Sequence, residues 1–220
     1  MFRFLILLAL LLSFVPTYAQ TKKMPRKILS KCLLTEAPSL RGFFLNQTVN
    51  EIDVMMSSFK TKYEEEKESD SNINDKEIGW SYMNFGDMDF SNPELKDVVV
   101  TLHFLDDKVI YLSIIYRGFE PQNLKGFIDQ LTEKTTLPKE GWTTEDKYHG
   151  VLKCSNFQVR VSTGEEVSRP GYLDLPSVTL IDTIAEAEKI NRRKLVETKK
   201  KNEERKRIRQ EREKRTILKP

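Results

Sequence analysis

The chain has little of the chemistry that most catalytic and metal sites need. Only two histidines, His103 and His149, and two cysteines occur in 220 residues. The sequence has no Gly-rich phosphate loop, no Gly-x-Ser-x-Gly elbow and no His-Glu-x-x-His motif. The spacing of His103, His149 and Cys154 matches no protease or zinc signature. We therefore expect no catalytic residue, metal or cofactor, and interpret His103 as a solvent-facing strand residue and His149 as a turn residue.

Long hydrophobic runs are also missing, apart from one at the N-terminus. Residues 4–15 (FLILLALLLSFV) are all apolar except Ser13, follow Met1-Phe-Arg3, and precede Pro16-Thr-Tyr-Ala19. A short basic start, an apolar run and small residues before a cleavage point are typical of a secretory signal. The run is too short to span a membrane, which takes about twenty apolar residues. We expect a signal peptide at 1–19 and an exported mature chain, periplasmic or extracellular, without a transmembrane segment.

The two cysteines, Cys32 and Cys154, favour a disulfide. An even cysteine count in an exported chain is typical of disulfide pairing. The alternative is two separately buried thiols, which an oxidising compartment makes less favourable.

Hydrophobic periodicity assigns helices and strands to a globular body at 20–188. Thr48-Val-Asn-Glu51 fits a capping box, and the apolar residues after it predict a helix that ends near Tyr63. A polar, acidic loop is expected at 64–76. Strands are predicted at 79–85, 98–105, 109–116, 151–162 and 173–180, and a second helix at 123–134. Pro176 should confine the last strand to an edge or a bulge.

The predicted strands indicate the fold class. Asp106-Asp107-Lys108 joins two β-branched and aromatic runs, which predicts a hairpin. Alternation places Leu102 and Phe104 on one face and His103 on the other. Hairpin-linked strands with few crossovers favour an α+β fold, with an antiparallel sheet covered on one face by helices. A long charged C-terminal helix completes the prediction.

The segment from Ala37 to Val49 (APSLRGFFLNQTV) resembles the L-x-G-x-x-L-G-M-T motif of small exported bacterial α+β domains. These include outer-membrane assembly lipoproteins of the SmpA/OmlA type and β-lactamase-inhibitor-like modules. The hairpin at 104–116, Leu137-Pro138 and the segment 152–157 (LKCSNF) add to a resemblance to a family of uncharacterised exported bacterial proteins. The resemblance implies a fold and a compartment but brings no catalytic residues. Asn46-Gln47 stands where the motif has Gly-Met, which predicts an Asn in the left-handed conformation.

Four other patterns have weak functional interpretations. Asp70-Ser-Asn-Ile-Asn-Asp75 begins like a calcium loop but lacks the sixth-position Gly and the twelfth-position Glu. Asp87-Met-Asp-Phe-Ser91 alternates likewise, and we interpret both as solvated loops. Asn46-Gln-Thr48 has the form of an N-glycosylation site, although Thr48 already serves as the expected N-cap. The aromatic residues could line a ligand groove but are more often core: Trp80, Tyr82, Phe85, Tyr111 and Trp142.

Charge is distributed very unequally along the chain. The tail at 189–220 contains fifteen Lys or Arg against five carboxylates, a net charge of about +10. The body at 20–188 contains twenty against twenty-eight, about −8. Opposite charges four residues apart, such as Arg207 and Glu211, each add ~0.2–0.5 kcal/mol to a solvated helix. A self-supporting charged helix is therefore one interpretation of the tail. An apolar stripe predicts that its start packs on the body: Ile181, Ile184, Ala187, Ile190 and Leu195.

The excess positive charge favours a contact with something anionic. Export argues against nucleic acid, which leaves an anionic envelope component or an acidic protein. The candidate contact residues are Lys199, Lys200, Lys201, Arg205, Lys206, Arg207 and Arg209. Three functions stay open: a non-enzymatic binding or envelope-associated protein, an inhibitor or assembly factor that binds a partner through its sheet, and, as the weakest, a hydrolase that uses a histidine.

Overall fold

The computed structural model describes residues 32–69, 73–85, 98–164 and 175–217. The expected signal peptide at 1–19 lies outside these residues. The helices are α1 (Val49–Met55), α2 (Phe59–Ser69), α3 (Ile73–Ile78), α4 (Leu124–Lys134) and α5 (Thr183–Ile217). The strands are β1 (Trp80–Phe85), β2 (Val98–Leu105), β3 (Lys108–Tyr116), β4 (Thr143–Thr144), β5 (His149–Lys153), β6 (Phe157–Ser162) and β7 (Ser177–Asp182).

The strands form one antiparallel sheet in the order β1-β2-β3-β7-β6-β5-β4. The last strand, β7, lies between the hairpins β2–β3 and β5–β6 and joins them into a single sheet. The predicted α+β class, with a long C-terminal helix, is confirmed. The prediction that Pro176 makes the last strand an edge or a bulge is wrong. Pro176 stands just before β7, where it loses no ladder bond, and its carbonyl accepts a hydrogen bond from Tyr116 N at 2.8 Å.

The β2–β3 hairpin turns at Asp106 and Asp107, as predicted. Both residues have left-handed backbones (φ 51° and 62°), a conformation that Asp tolerates better than most residues. The carboxylate of Asp107 accepts hydrogen bonds from the hydroxyl of Tyr63 at 2.7 Å and from Nζ of Lys67 at 2.8 Å. The hairpin turn is therefore attached to α2.

The first predicted helix is broken in two. The capping box is confirmed: Thr48 N donates to Glu51 Oε2 at 2.7 Å, and Glu51 N donates to Thr48 Oγ1 at 3.3 Å. The helix stops at Met55 because Met56 is extended, and Ser58 is left-handed (φ 70°). Because of this break, Phe59 and Tyr63 of α2 both face the core.

The predicted loop at 64–76 is wrong over most of its length. Helix α2 continues to Ser69, and α3 begins at Ile73. Tyr63 is buried against Phe104, with ring centroids 4.9 Å apart. This contact holds the acidic turns of α2 on the body even though they carry no apolar stripe of their own, because tertiary contacts override weak local signals.

The predicted strand at 151–162 is a hairpin, β5 and β6, which turns at residues 154–156. Cys154 N donates to Phe157 O at 2.9 Å across this turn. The predicted disulfide between Cys32 and Cys154 is confirmed, and both cysteines of the chain are paired. It ties the start of the described chain to the turn.

The core lies between one face of the sheet and the helices α1, α2 and α4. Phe104 meets Phe59 and Tyr63 of α2 in this layer. On the same face, but near the β5 edge of the sheet, Ile128 and Leu124 of α4 approach Gly150, where an added Cβ would lie 3.1 Å from Ile128. The fully buried residues of the layer include Phe43, Ile52, Leu102, Phe104, Leu112, Leu152, Val159 and Leu180. The base of α5 lies on the opposite face, at one corner.

Candidate functional site

Helix α5 begins directly at the end of the central strand β7. Asp182, the last residue of β7, accepts hydrogen bonds through Oδ1 from Ile184 N at 3.0 Å and Ala185 N at 2.8 Å. This carboxylate caps the positive end of the helix dipole. Its other oxygen accepts from Asn46 Nδ2 at 3.2 Å. Asn46 has the predicted left-handed backbone (φ 66°). The cap therefore joins the start of the helix to both the sheet and the loop before α1.

The base of α5, residues 183–193, crosses an aromatic cluster on the face of the sheet opposite the core. His103 stacks on Tyr111 with ring centroids 4.2 Å apart, and it meets the edges of Trp80 and Tyr82 at 5.7 Å and 6.2 Å. Lys189 Nζ lies 5.9 Å from the centroid of the Trp80 ring. Among the described residues, the indole N–H of Trp80 is the buried side-chain polar group without a hydrogen-bond partner.

His103 is not the solvent-facing residue that the sequence predicts. Its pKa is lowered to about 4, mainly because the imidazole is buried; the positive charge of Lys189 adds to the decrease, and Glu186 opposes it. The strand alternation was predicted correctly, but nothing in the local pattern shows that a helix from the end of the chain crosses this face. A neutral imidazole between aromatic rings is a packing residue at neutral pH.

Arg192 anchors the base of α5. Its guanidinium donates to both carboxylate oxygens of Asp106 at 2.8 Å and to Ile78 O at 3.2 Å. The hydrogen bonds from Arg192 hold the pKa of Asp106 below its ordinary value. Paired, two-point contacts of this kind are the strongest that Arg makes with a carboxylate. Gly79 leaves room for the contact, because a Cβ there would lie 2.5 Å from Oδ1 of Asp106.

A second arginine of the base reaches α3. Arg193 Nη2 lies 3.3 Å from Oδ1 of Asp75, a buried carboxylate. Asp75 ends the calcium-like sequence at 70–75. Its interpretation as a solvated loop is wrong at residues 73–75, because these begin α3 and Asp75 is buried in its pair with Arg193. Residues 70–72 of that sequence and the second candidate at 87–91 lie outside the described residues. Within the described ranges, no cluster of three or more His, Cys, Asp or Glu side chains could hold a metal ion.

The start of α5 packs on the body as predicted, but the prediction that an apolar stripe provides this packing is wrong. Ile184, Ile190 and Leu195 are 64%, 45% and 70% exposed, and Ala187 is exposed as well. The contacts come instead from Lys189, whose side chain is only 13% exposed, and from Arg192 and Arg193. Asp106 and Arg192 are 86 residues apart, so no local pattern in the sequence could pair them.

The outer part of α5 has a different character. Every side chain from Glu197 to Glu213 is exposed. Two of the predicted pairs within the helix are present: Arg207 Nε lies 3.8 Å from Glu211, and Arg209 Nε lies 3.1 Å from Glu213. We call residues 194–217 the basic arm. All seven candidate contact residues, Lys199, Lys200, Lys201, Arg205, Lys206, Arg207 and Arg209, lie on it and are exposed.

Helical spacing sorts the cations of the arm onto separate lines. At 3.6 residues per turn, one line contains Lys194, Lys201, Arg205, Arg209 and Arg212, with Thr198 filling the interval between the first two. We call these five cations the arm stripe. Glu197, Glu204 and Glu211 repeat at intervals of seven along a neighbouring line. The stripe includes Lys194 and Arg212, which the predicted contact set omits, although the spacing alone could have identified them.

The other predicted site residues do not converge. His103 lies on β2 and His149 on β5, with β3, β7 and β6 between them. Four strand spacings separate the two histidines by about 19 Å. Cys154 is in the disulfide and cannot serve as a thiolate nucleophile with either of them. His149 Nδ1 is 2.8 Å from Oδ2 of Asp146, and this contact lowers the pKa of Asp146.

The aromatic residues considered for a groove also separate. Trp80, Tyr82 and Tyr111 belong to the cluster under α5, whereas the indole N–H of Trp142 donates to Pro138 O at 2.9 Å. Phe85 ends β1. In the glycosylation-like triplet, the Asn46 side chain bonds to Asp182 and Thr48 caps α1.

None of the helices in the described parts of the chain is both long and apolar enough to cross a membrane. The candidate contact surface that the structure presents is the basic arm, held at its base by Asp182, Lys189, Arg192 and Arg193. Comparison of the chain with protein-family models, with curated proteins and with solved structures finds no match.

Proposed function

We propose that the protein is an exported, non-enzymatic binding protein that attaches to an anionic lipid surface through the basic arm. The observation that carries the proposal is the complete exposure of residues 197–213 on a helix whose base is fastened to the body. A helix that served only to complete the fold would bury part of its surface, as the base does. The confirmed disulfide supports an oxidising compartment.

The electrostatics favour the arm over the body as the contacting part. The body carries about −8 and is repelled by an anionic surface, whereas the arm places its cations away from that charge. Each Lys or Arg near such a surface contributes about 1 kcal/mol. The five cations of the arm stripe together supply about 5 kcal/mol before the cost of orienting the protein, which corresponds to weak binding in the range of about 0.1–1 mM.

The depth of binding follows from the apolar content of the arm. Between Glu197 and Glu213 the one large apolar side chain is Ile208. Insertion into the acyl region needs a broad apolar face. We therefore expect the arm to lie at the level of the head groups, and its binding to weaken strongly as salt screens the charges.

Vesicle sedimentation tests the proposal. The mature chain should bind phosphatidylglycerol vesicles at low salt, should not bind neutral phosphatidylcholine vesicles, and should dissociate at high salt. A protein that ends at residue 196 should lose this binding. Equal binding by the full-length and truncated proteins at low salt would contradict the proposal. Binding to an acidic protein but not to anionic vesicles would also contradict it and would favour a protein partner.

A pair of charge-matched variants tests the orientation of the arm. Lys201→Gln, Arg205→Gln and Arg212→Gln together remove three cations of the arm stripe. Lys199→Gln, Lys200→Gln and Arg207→Gln remove the same charge from other lines of the helix. We expect the stripe variant to bind anionic vesicles at least tenfold more weakly than the control, because about 1 kcal/mol is lost per contacting cation. Equal loss in both would show that the arm acts by total charge alone.

A further inference from the structure

A cavity of about 410 Å³ lies at the end of the sheet opposite the base of α5. It is enclosed by the start of β2, the end of β3, α4 and the turn at residues 39–41. Its volume falls within the range of about 300–1,000 Å³ that is usual for small-molecule sites. The residues that line it are Ser39, Leu40, Arg41, Val98, Tyr116, Arg117, Phe119, Phe127, Gln130, Leu131, Lys134 and Thr135.

One part of the cavity wall is aromatic. The ring of Tyr116 lies 6.0 Å from that of Phe119 and 6.3 Å from that of Phe127, and Phe119 and Phe127 are 5.5 Å apart. Leu131 of α4 extends this surface and is buried, as is Phe127. Such a wall favours an apolar ligand of about the size of an alkyl chain or a ring system.

The charged residues among the described lining of the cavity are basic. Arg41, Arg117 and Lys134 line it, and the described lining residues include no carboxylate. This composition is opposite to that of the body, in which carboxylates outnumber Lys and Arg. Three cations next to an apolar wall favour an anionic group attached to an apolar body.

The backbone of Arg41 supplies independent support. Arg41 and Gly42 have φ values of 55° and 88° in a tight turn, in which Leu40 N donates to Phe43 O at 2.8 Å and Phe43 N donates to Leu40 O at 3.0 Å. A two-residue turn of this type favours Asn or Gly at the position that Arg41 holds. A left-handed arginine costs free energy, and residues held this way concentrate at ligand sites. Burial raises the pKa of Tyr116 on the aromatic wall, and the positive charge of Arg41 opposes this rise.

We propose that this cavity binds an anionic amphiphile with a single alkyl chain. The chain packs against Tyr116, Phe119 and Phe127, and the head group, a carboxylate or a phosphate monoester, pairs with Arg41 and Lys134. The site does not depend on the basic arm, which leaves the body at the other end of the sheet.

Calorimetric titration of the mature chain with four dodecyl compounds tests the site. Dodecanoate or dodecyl phosphate should bind at least tenfold more tightly than dodecanol or dodecyltrimethylammonium. A preference for the carboxylate identifies a fatty-acid ligand, and a preference for the phosphate identifies a lysolipid-type head group. Equal affinity for the anionic and cationic compounds would overturn the proposal. The arm-stripe variant should bind all four as the parent does, and loss of dodecanoate binding in it would overturn the assignment to the cavity.

Two lysines of α4 provide a matched pair of variants. Lys134→Gln removes a cation of the cavity and should weaken dodecanoate binding about tenfold, the usual effect of losing one charge-assisted contact. Lys125→Gln removes the same charge from the same helix outside the cavity and should leave binding unchanged. Equal effects of the two substitutions would overturn the proposal.

Arg41→Asn separates binding from folding. Asn suits the left-handed turn, so its midpoint of thermal unfolding should be unchanged or raised by about 2–4 °C, the shift that about 1 kcal/mol gives in a domain of this size. Dodecanoate affinity should fall at least tenfold. A lower unfolding midpoint with unchanged affinity would show that Arg41 serves the fold and would overturn its role in binding.

Discussion

From Thr183 to Arg193 and from Glu197 to Glu213, α5 is rich in charged residues, yet the two halves differ in what those side chains contact. In the first half, Lys189 and Arg192 reach aromatic and carboxylate groups of the body. In the second half every side chain is exposed, and the ion pairs of Arg207 and Arg209 lie within the helix. The number of cations in a helix therefore does not reveal which of them hold the fold. Which cations hold the fold depends on where Asp106 and Asp75 lie on the body, because these carboxylates pair with Arg192 and Arg193.

We expect the largest decrease in the free energy of unfolding when the disulfide of the body, to which the first half of α5 is attached, is removed. Replacing Cys32 and Cys154 by Ser opens a loop closed over a sequence separation of 122 residues. The free energy of unfolding should fall by about 4–5 kcal/mol, because the unfolded chain regains the freedom of a long loop. Urea unfolding followed by tryptophan fluorescence measures it. A change below about 1 kcal/mol would show that the N-terminal segment and the β5–β6 turn hold together without the disulfide.

The next effect concerns the imidazole under the first half of α5. The pKa of His103 is lowered to about 4 in the folded protein, from an ordinary value near 6.5. The unfolded state therefore takes up this proton first. The associated stability is present above about pH 6.5 and is lost as the pH falls towards 4. After allowance for partial solvent screening the loss is about 2 kcal/mol.

His103→Phe keeps the stack on Tyr111 and removes the titration. Unfolding free energy measured by urea from pH 7 to pH 4 should then lose about 2 kcal/mol less than in the parent. His149→Gln serves as the control, since it removes the second histidine and leaves the contact of His103 with α5 intact. Carboxylates with lowered pKa, such as Asp106, lose their contribution only below about pH 4. If the unfolding free energy of His103→Phe fell with pH as much as that of the parent, the pH dependence could not be assigned to His103.

A matched arginine pair compares the two halves directly. Arg192→Gln removes the two-point contact with Asp106 and the bond to Ile78 O, and should cost about 1–2 kcal/mol at this half-exposed position. Arg209→Gln, an identical change in the second half, should stay within about 0.5 kcal/mol of the parent. The midpoint of urea unfolding measures both. If both substitutions lowered the unfolding free energy equally, the first half of α5 would not be held to the body more strongly than the second.

The smallest effect is expected for the arm stripe. Lys201→Gln, Arg205→Gln and Arg212→Gln together should shift the midpoint of thermal unfolding by no more than about 2 °C, because fully exposed charges contribute little to stability. Scanning calorimetry checks this result. A larger decrease would show that the arm packs on the body in solution.

The features predicted correctly from the sequence depend on short-range chemistry or on counting. The capping box of Thr48, the Asp106-Asp107 turn and the pairing of the two cysteines are of this kind. The wrong predictions involve contacts distant in sequence. Nothing in the sequence around Pro176 shows that β7 lies between two hairpins. The apolar spacing of Ile184 and Ile190 predicted hydrophobic packing at the base of α5, where salt bridges make the contacts instead. Of the candidate site, seven residues of the arm were proposed from the sequence, and helical spacing alone could have added Lys194 and Arg212. The anchors at the base of α5 required the structure.

The direct succession of β7 by α5 has a mechanical consequence. Asp182 ends the strand and Thr183 begins the helix, so no connecting loop can absorb a change in direction. The arm extends about 36 Å beyond Arg193, at about 1.5 Å per residue. A helix of that length, continuous with the middle strand of the sheet, keeps a fixed direction relative to the body. A surface that binds and orients the arm therefore also sets the tilt of the body. The cavity beside Tyr116 then lies at the end of the sheet farthest from the bound arm.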